Sequence, residues 1–405
     1  MEFVFTFVSI LLIYVDYKLY KTLFTPFSII TTIYTVLLLV NNFFAVKMGF
    51  FEISIESMCY IMYFLILIFF ISLYHLFLMR KKSTLKKGKT SYSNSIVDRN
   101  KRVIVSLFLI GLIAKYFALL QAISRYGLNN IKGKEAGVFA HIGILAIVLS
   151  PYMMIFYISN KKKVQYLVSL LLLFFNLFIF GGKYSIIIAF LHQIMAYVTI
   201  ENVNLRKTFR IGIRVAFFSI LMFVTTYAVK PAIIQGSFDK NKILDDIFFS
   251  LRHFMTYLVG PLVATNFYFN NAIETTVGIR VLFTVPINIV RALFRIKGYV
   301  NPINTYFVSV STYSIVNVGG LFAECVYNSG ILIASIYVAV FFCVVYYFYN
   351  KSRYNGEKLN LVSLLLAVVT VMFFSNFLTV SGVVLQVLYL WIIELFLKKR
   401  VVFRR

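Results

Sequence analysis

Runs of about 20 apolar residues recur from one end of this chain to the other. Nothing else in the sequence limits its fold as strongly. A segment of that length crosses a bilayer as a helix, because lipid offers no hydrogen-bond partner to an open peptide group. Composition agrees: 61% of the 405 residues are hydrophobic and the mean hydropathy is +0.87. The sequence therefore predicts an all-α polytopic integral membrane protein.

Charge sets the expected topology. The net charge is +26, but the basic residues are gathered in short segments between apolar runs. That distribution fits orientation signals and anionic-lipid contacts, and argues against a nucleic-acid partner, which calls for a contiguous basic face. Residues 80–102 carry nine Lys or Arg and one acid, so this loop is expected in the cytoplasm. Alternating from it, spans are expected at residues 3–15, 27–46, 57–79, 103–123, 142–159, 164–180, 184–200 and 215–229. This places the N-terminus outside and the terminal KKRVVFRR in the cytoplasm. Further spans end near Tyr349, at 359–379 and at 383–397, for 11 to 13 in all. The first span lacks a basic leader and a small-residue cleavage site, so it is expected to be retained. The three cysteines show neither disulfide nor metal-ligand spacing, so no metal and no cofactor are expected. The absence of an internal repeat counts against an inverted-repeat transporter.

Three segments follow: helices over 1–229, a region of amphipathic and re-entrant pieces over 230–330, and closing helices with a basic tail over 331–405. The middle segment carries the candidate chemistry. In KILDDIFFSLRHFMTYL, Ile243, Leu244, Ile247, Phe248, Leu251, Phe254, Met255 and Leu258 share one helical face. This predicts a helix lying on the outer leaflet, with Arg252 and His253 turned largely away from the apolar side. The next stretch, 257–269, is interrupted by Gly260-Pro261 and is expected to cross or to dip. In VGIRVLFTVPINIVRALFRIKGYV, Arg280, Thr284, Asn288, Arg291 and Arg295 fall on one helical face, with Pro286 as a source of a kink.

Arginines in an apolar helix cost on the order of 3 kcal/mol each on insertion scales, so they face a cavity, a partner or the headgroups. Arg291 and Arg295, one helical turn apart, form a fork suited to a diphosphate, with Arg280 and Arg252 as further contacts. The plainer alternative is that they reach to lipid headgroups. Histidines ordinarily titrate near neutrality, so His253 suits a general base, with Glu324 as the other candidate for that role, or His253 belongs to an ordinary solvated face. Lys183, after two glycines, either meets an anion at a helix start or is a loop lysine. Glu324 either positions a hydroxyl or pairs with an arginine, whereas Glu394 reads as an ion-pair partner. His75, His141 and His192 are isolated and read as structural. No phosphate-binding loop, dinucleotide fingerprint or nucleophile elbow is present.

Three motifs resemble those of bacterial oligosaccharide repeat-unit polymerases of the Wzy type. GGKYSIIIAFL from Gly181 is similar to their glycine–glycine–basic start of a span. HFMTYLVGPLVATNF from His253 resembles their Y-x-x-x-P external segment, which makes Tyr257 an acceptor-positioning candidate. NVGGLFAECVYNSGILIASIY from Asn317 resembles their asparagine–glycine–acid–Y-x-x-x-G run, marking Asn317, Glu324 and Tyr327. The resemblance covers roughly residues 164–349. It implies joining of undecaprenyl-diphosphate-linked repeat units, for O-antigen or capsule, on the external face of the bacterial cytoplasmic membrane. Glycan passes from one lipid diphosphate to the non-reducing-end hydroxyl of another. It further implies a chain-length regulator and a flippase of the same pathway as partners, and no metal or nucleotide. Lys183 stands where the family often has arginine, which puts a bidentate contact there in question. Two other classes remain open: a flippase or exporter of lipid-linked oligosaccharide, and another lipid-linked glycosyltransferase or O-antigen ligase.

Overall fold

A computed structural model of the protein describes residues 1–82, 99–127, 130–131, 134–135, 137–159, 163–180, 183–201, 240–271, 276–301, 306–355 and 358–402, with isolated positions between 210 and 225. The described residues are overwhelmingly helical. In chain order they form α1 (Glu2–Tyr20), α2 (Pro26–Val40), α3 (Ile55–Lys82), α4 (Lys101–Tyr126), α5 (Val138–Ser159), α6 (Val164–Phe180) and α7 (Lys183–Glu201). Next come α8 (Lys240–Asn270), α9 (Thr276–Leu282), α10 (Thr284–Leu293) and two short strands, β1 (Val308–Ser309) and β2 (Ile315–Val316). The chain closes with α11 (Gly320–Asn355), α12 (Leu359–Val371) and α13 (Ser381–Val402). Eight helical segments among the described residues are long and apolar enough to cross a membrane. The protein is thus a polytopic helical membrane protein. The span expected at 215–229 and the polar stretch 231–239 lie outside the described residues, apart from isolated positions.

The chain divides into two units that are interleaved along the sequence rather than set end to end. The first comprises Met1–Ser72, Val203–Phe342 and Thr370–Val380, and the second the remainder. In the first unit, Phe322 of α11 lies between Tyr34 of α2 and Phe64 of α3, with ring centroids 5.2 and 4.9 Å away. All three rings are essentially buried. Asp16 ties α1 to its neighbours. Its buried carboxylate accepts from Ser28 Oγ at 2.7 Å, from Ser72 Oγ at 3.0 Å and from Thr25 Oγ1. Such satisfaction is what keeps a carboxylate tolerable at a buried position.

In the second unit, Gly111 of α4 lets the α5 backbone approach, since a Cβ there would stand 2.4 Å from the Ala146 nitrogen. Lys115 is 2% exposed and ion-paired with Glu135. Gly143 makes room for its stem, because an added Cβ would come within 2.9 Å of Lys115 Cγ. Buried Asn176 donates to the Lys115 carbonyl at 3.1 Å. His192 Nε2 lies 3.1 Å from the Asn360 carbonyl, a structural contact in keeping with its isolation in sequence. Glu394 does pair with a cation, Lys358 at 3.8 Å, and also accepts from the Leu361 N–H.

Three readings of local structure change. First, residues 240–270 form one helix that runs through Gly260-Pro261, where an interruption was expected. The helix packs there against the hairpin: a Cβ on Gly260 would meet Val316 at 3.1 Å and Val310 at 3.4 Å. Second, the arginine-bearing stretch is two short helices. Pro286 falls in the first turn of α10, where its missing N–H costs no helical bond, so it starts a helix and does not kink one. Third, the region expected to hold amphipathic and re-entrant helices also contains an antiparallel hairpin within 306–316, pairing Val308 with Val316 and Ser309 with Ile315. Gly49–Phe51 joins its edge through Phe51 N–H to the Val310 carbonyl (3.0 Å) and Thr312 N–H to the Gly49 carbonyl (3.1 Å).

Candidate functional site

The turn that opens α11 gathers the last of the three motifs. Gly320 adopts φ +73°, a conformation that favours glycine, and an added Cβ would stand 2.6 Å from the Phe373 carbonyl. A Cβ on Gly319 would enter the Tyr268 ring at 2.2 Å. Helix starts carry backbone N–H groups without intrahelical acceptors. Here Gly320 N–H donates to the Phe374 carbonyl (3.2 Å) and Leu321 N–H to the Met372 carbonyl (2.8 Å). The chain leaving α12 therefore caps the start of α11, which explains why the expected span 359–379 ends as a helix at Val371.

Glu324 completes this junction. Its Oε1 accepts from Gly319 N–H at 3.1 Å, and its Oε2 accepts from Asn376 N–H at 2.8 Å and Ser375 Oγ at 3.0 Å. A carboxylate near a helix N-terminus also meets the favourable end of the helix dipole. Asn376 is 1% exposed and caps the following turn, Phe377–Thr379, by accepting from Leu378 N–H at 3.2 Å. Tyr327, one turn beyond Glu324, is buried edge-on to Tyr268 at 5.0 Å. Asn317 stands half-buried between β2 and Gly319. The helix breaks at Gly330, φ 72° and ψ 167°, so the segment carrying Glu324 and Tyr327 is a short piece ahead of the long span.

Beside this junction, α8 presents Arg252, His253 and Tyr257. Exposed Arg252 lies over the Tyr313 ring, 5.8 Å from its centroid. Partial burial raises the Tyr313 hydroxyl above its ordinary pKa while Arg252 opposes the shift, so the phenol is neutral at physiological pH. Half-buried His253 stacks on Phe249 at 5.7 Å and meets Tyr257 edge-on at 4.9 Å. Tyr257 in turn stacks on Phe374 at 5.5 Å with planes 7° apart. Phe374 precedes the two residues that bind Glu324. The Thr256 and Ser314 hydroxyls, 3.0 Å apart, tie α8 to the hairpin. One run of contacts thus joins His253, Tyr257 and Glu324, which the sequence separates by up to 71 positions, while Arg252 lies over Tyr313.

Of the remaining arginines, Arg280 sits on α9, Arg291 on α10 and Arg295 just past it, and both helices pack against the turn Phe377–Thr379. Gly278 seats α9 against the α11 backbone, since a Cβ there would stand 2.1 Å from the Asn328 carbonyl. Arg280, two residues on, is exposed. The shared helical face expected for Arg291 and Arg295 is not formed, because α10 ends at Leu293 and Arg295 adopts φ 54°. Arg291 Nη1 donates instead to the Gly298 carbonyl at 2.8 Å, and Arg295 is exposed on the turn beyond. Lys183 is the first residue of α7 in the second unit, and its side chain lies outside the described residues.

Tyr313, Phe374, Ser375 and Asn376 were not legible as site residues. The sequence offers a trace of the last two: Ser-Asn interrupts an apolar run at FFSNFLT, where a spanning helix has no use for polar side chains. No group of three or more His, Cys, Asp or Glu suited to a metal ion occurs among the described residues.

The model of a protein family described as "Family of unknown function (DUF6337)" matches residues 49–403. No curated protein and no solved structure matches the chain.

Proposed function

The chain belongs to DUF6337, a family of unknown function, and from the site of this member we propose a Wzy-type polymerase of lipid-diphosphate-linked oligosaccharide repeat units. The observation that carries the reading is the His253–Tyr257–Phe374 stack, with Arg252 on the same helix lying over Tyr313. It combines a fixed cation, a proton acceptor and flat aromatic faces of the kind that sugars stack against. The order of the three sequence motifs supports the same reading.

In the proposed reaction the bond between the donor sugar's anomeric carbon and the lipid diphosphate breaks. A new bond forms from that carbon to the acceptor's non-reducing-end hydroxyl. His253 takes the hydroxyl proton, and the diphosphate departs on its lipid as an anion. Arg252 and Arg280 stabilise the charge that grows on the leaving group. Glu324, its oxygens accepting three hydrogen bonds, holds the α11 turn and positions Tyr257 through Phe374, Ser375 and Asn376. Tyr327 and Asn317 shape the same turn. The active face is the external face of a bacterial cytoplasmic membrane, with lipid-linked glycans as partners.

Deletion of the gene followed by gel analysis of surface glycan tests the proposal. Loss of the long ladder with survival of single-repeat product supports it. Loss of every glycan, the single repeat included, points to a flippase or an earlier transferase. Complementation by Arg252→Ala should leave only the single repeat at normal protein level.

A further inference from the structure

The chain from α10 to Val300 folds into a compact turn whose hydrogen bonds are made and whose apolar side chains face outward. Phe294 N–H donates to the Val290 carbonyl at 3.0 Å and Ile296 N–H to the Arg291 carbonyl at 2.9 Å. Asn288 holds both sides of the Val300 peptide, donating to its carbonyl and accepting from its N–H, each at 2.8 Å. Arg291 closes the loop on Gly298, which adopts φ 82°. The turn is therefore built to hold one shape. Yet Leu293, Phe294, Ile296 and Tyr299 are 74%, 74%, 51% and 71% exposed.

Large exposed apolar residues on the long helices of this protein need no special account, since those helices face lipid. The turn is different. At ten residues α10 is about 15 Å long, too short to cross a bilayer. Its apolar crown also sits among cations: Arg291, Arg295 and Lys297 lie within the same seven residues. From Thr275 to Ala323 the sequence contains four Lys or Arg and no Asp or Glu. Aromatic and aliphatic tips interspersed with Arg and Lys, in a stretch of sequence without acids, match the chemistry of the headgroup layer.

We propose that the turn Leu293–Tyr299 is an interfacial anchor that seats its apolar crown at the headgroup–acyl boundary of an anionic bilayer, with Arg295 and Lys297 on lipid phosphates. Arg291 shapes the anchor by holding Gly298. The anchor fixes α9 and α10, and with them the turn Phe377–Thr379 against which both pack, at the depth where a lipid headgroup lies. This inference does not rest on the polymerase reading and survives its failure.

The chain has a single tryptophan, Trp391. Full-length protein carrying Trp391→Phe and Phe294→Trp therefore reports from the crown alone, with Leu293→Trp as a second reporter. Both are reconstituted in nanodiscs of equal parts phosphatidylglycerol and phosphatidylcholine, and in phosphatidylcholine only. In the anionic discs the account expects blue-shifted emission, quenched several-fold more by lipids brominated high in the acyl chain than by aqueous acrylamide. Arg295→Glu with Lys297→Glu should abolish that preference. Water-like emission from both reporters in anionic discs overturns the proposal. Equal burial in neutral discs overturns its anionic-lipid part, and displacement by soluble inorganic diphosphate would assign the cations to a free phosphate ligand instead.

Discussion

The turn at Glu324 and the turn at Arg295 are both tightly hydrogen-bonded, and they spend their polar residues in opposite ways. At Glu324 the carboxylate faces inward and accepts from two backbone N–H groups and a serine hydroxyl. Gly319 and Gly320, just ahead of it, let the Tyr268 ring and the Phe373 carbonyl close over the turn. Beyond α10 the backbone satisfies itself with help from Asn288 and Arg291, leaving Arg295, Lys297 and four large apolar side chains turned outward. One turn consumes its charge as structure and the other presents it. A charged residue in a polar stretch is thus no guide to chemistry until its hydrogen-bond partners are known.

Substitutions can break this comparison, and the largest effect belongs to the inward turn. Gly320→Ala meets two obstacles: a left-handed conformation costing about 1–2 kcal/mol and a 2.6 Å approach to the Phe373 carbonyl, with overpacking costing about 1–3 kcal/mol. The yield of monodisperse protein in detergent should collapse. Next comes Glu324→Gln, which sets an NH2 group against N–H and O–H donors and should lower stability by about 1–3 kcal/mol. A thermal melt reads this directly. An unchanged melting temperature with lost chain extension would instead return Glu324 to a chemical role.

The outward turn should respond more weakly. Asn288→Ala removes both bonds to Val300 and should cost about 1 kcal/mol, seen as faster amide exchange at residues 294–300 with the rest of the protein unchanged. Arg252→Ala is expected to be the smallest in stability, within about 0.5 kcal/mol because the side chain is exposed. In the proposed function it is nonetheless among the largest in activity. The ratio of lost activity to lost stability should therefore run in opposite directions at Glu324 and Arg252.

Much of the fold was readable because lipid-facing helices announce themselves by length and hydropathy. The spans α1 to α5 agree with expectation to within a few residues at most ends. What failed to read was decided by packing. Gly260-Pro261 looks like a helix break, but the helix runs through it, packed there against the hairpin side chains Val310 and Val316. The four-residue spacing of Arg291 and Arg295 looks helical, but Asn288 and Arg291 draw the chain back before another turn forms. Strands of two residues lie below any periodicity signal, so the hairpin had to come from pairing with the loop at Phe50. At the site, the sequence marked Arg252, His253, Tyr257 and Glu324 individually. It could not supply the Phe374–Asn376 segment that joins Tyr257 to Glu324, because that contact links residues about 50 or more positions apart.

The most direct test is chain extension by the purified protein. Wild type and Arg252→Ala are reconstituted in liposomes with lipid-diphosphate-linked repeat units as the sole substrate, and the products are resolved by size. The account predicts that wild type yields a ladder of multiple repeats with stoichiometric release of lipid diphosphate, while the equally folded Arg252→Ala yields the input unit alone. Wild-type protein that leaves every repeat unit at its starting length, with or without moving it across the bilayer, would contradict the polymerase reading.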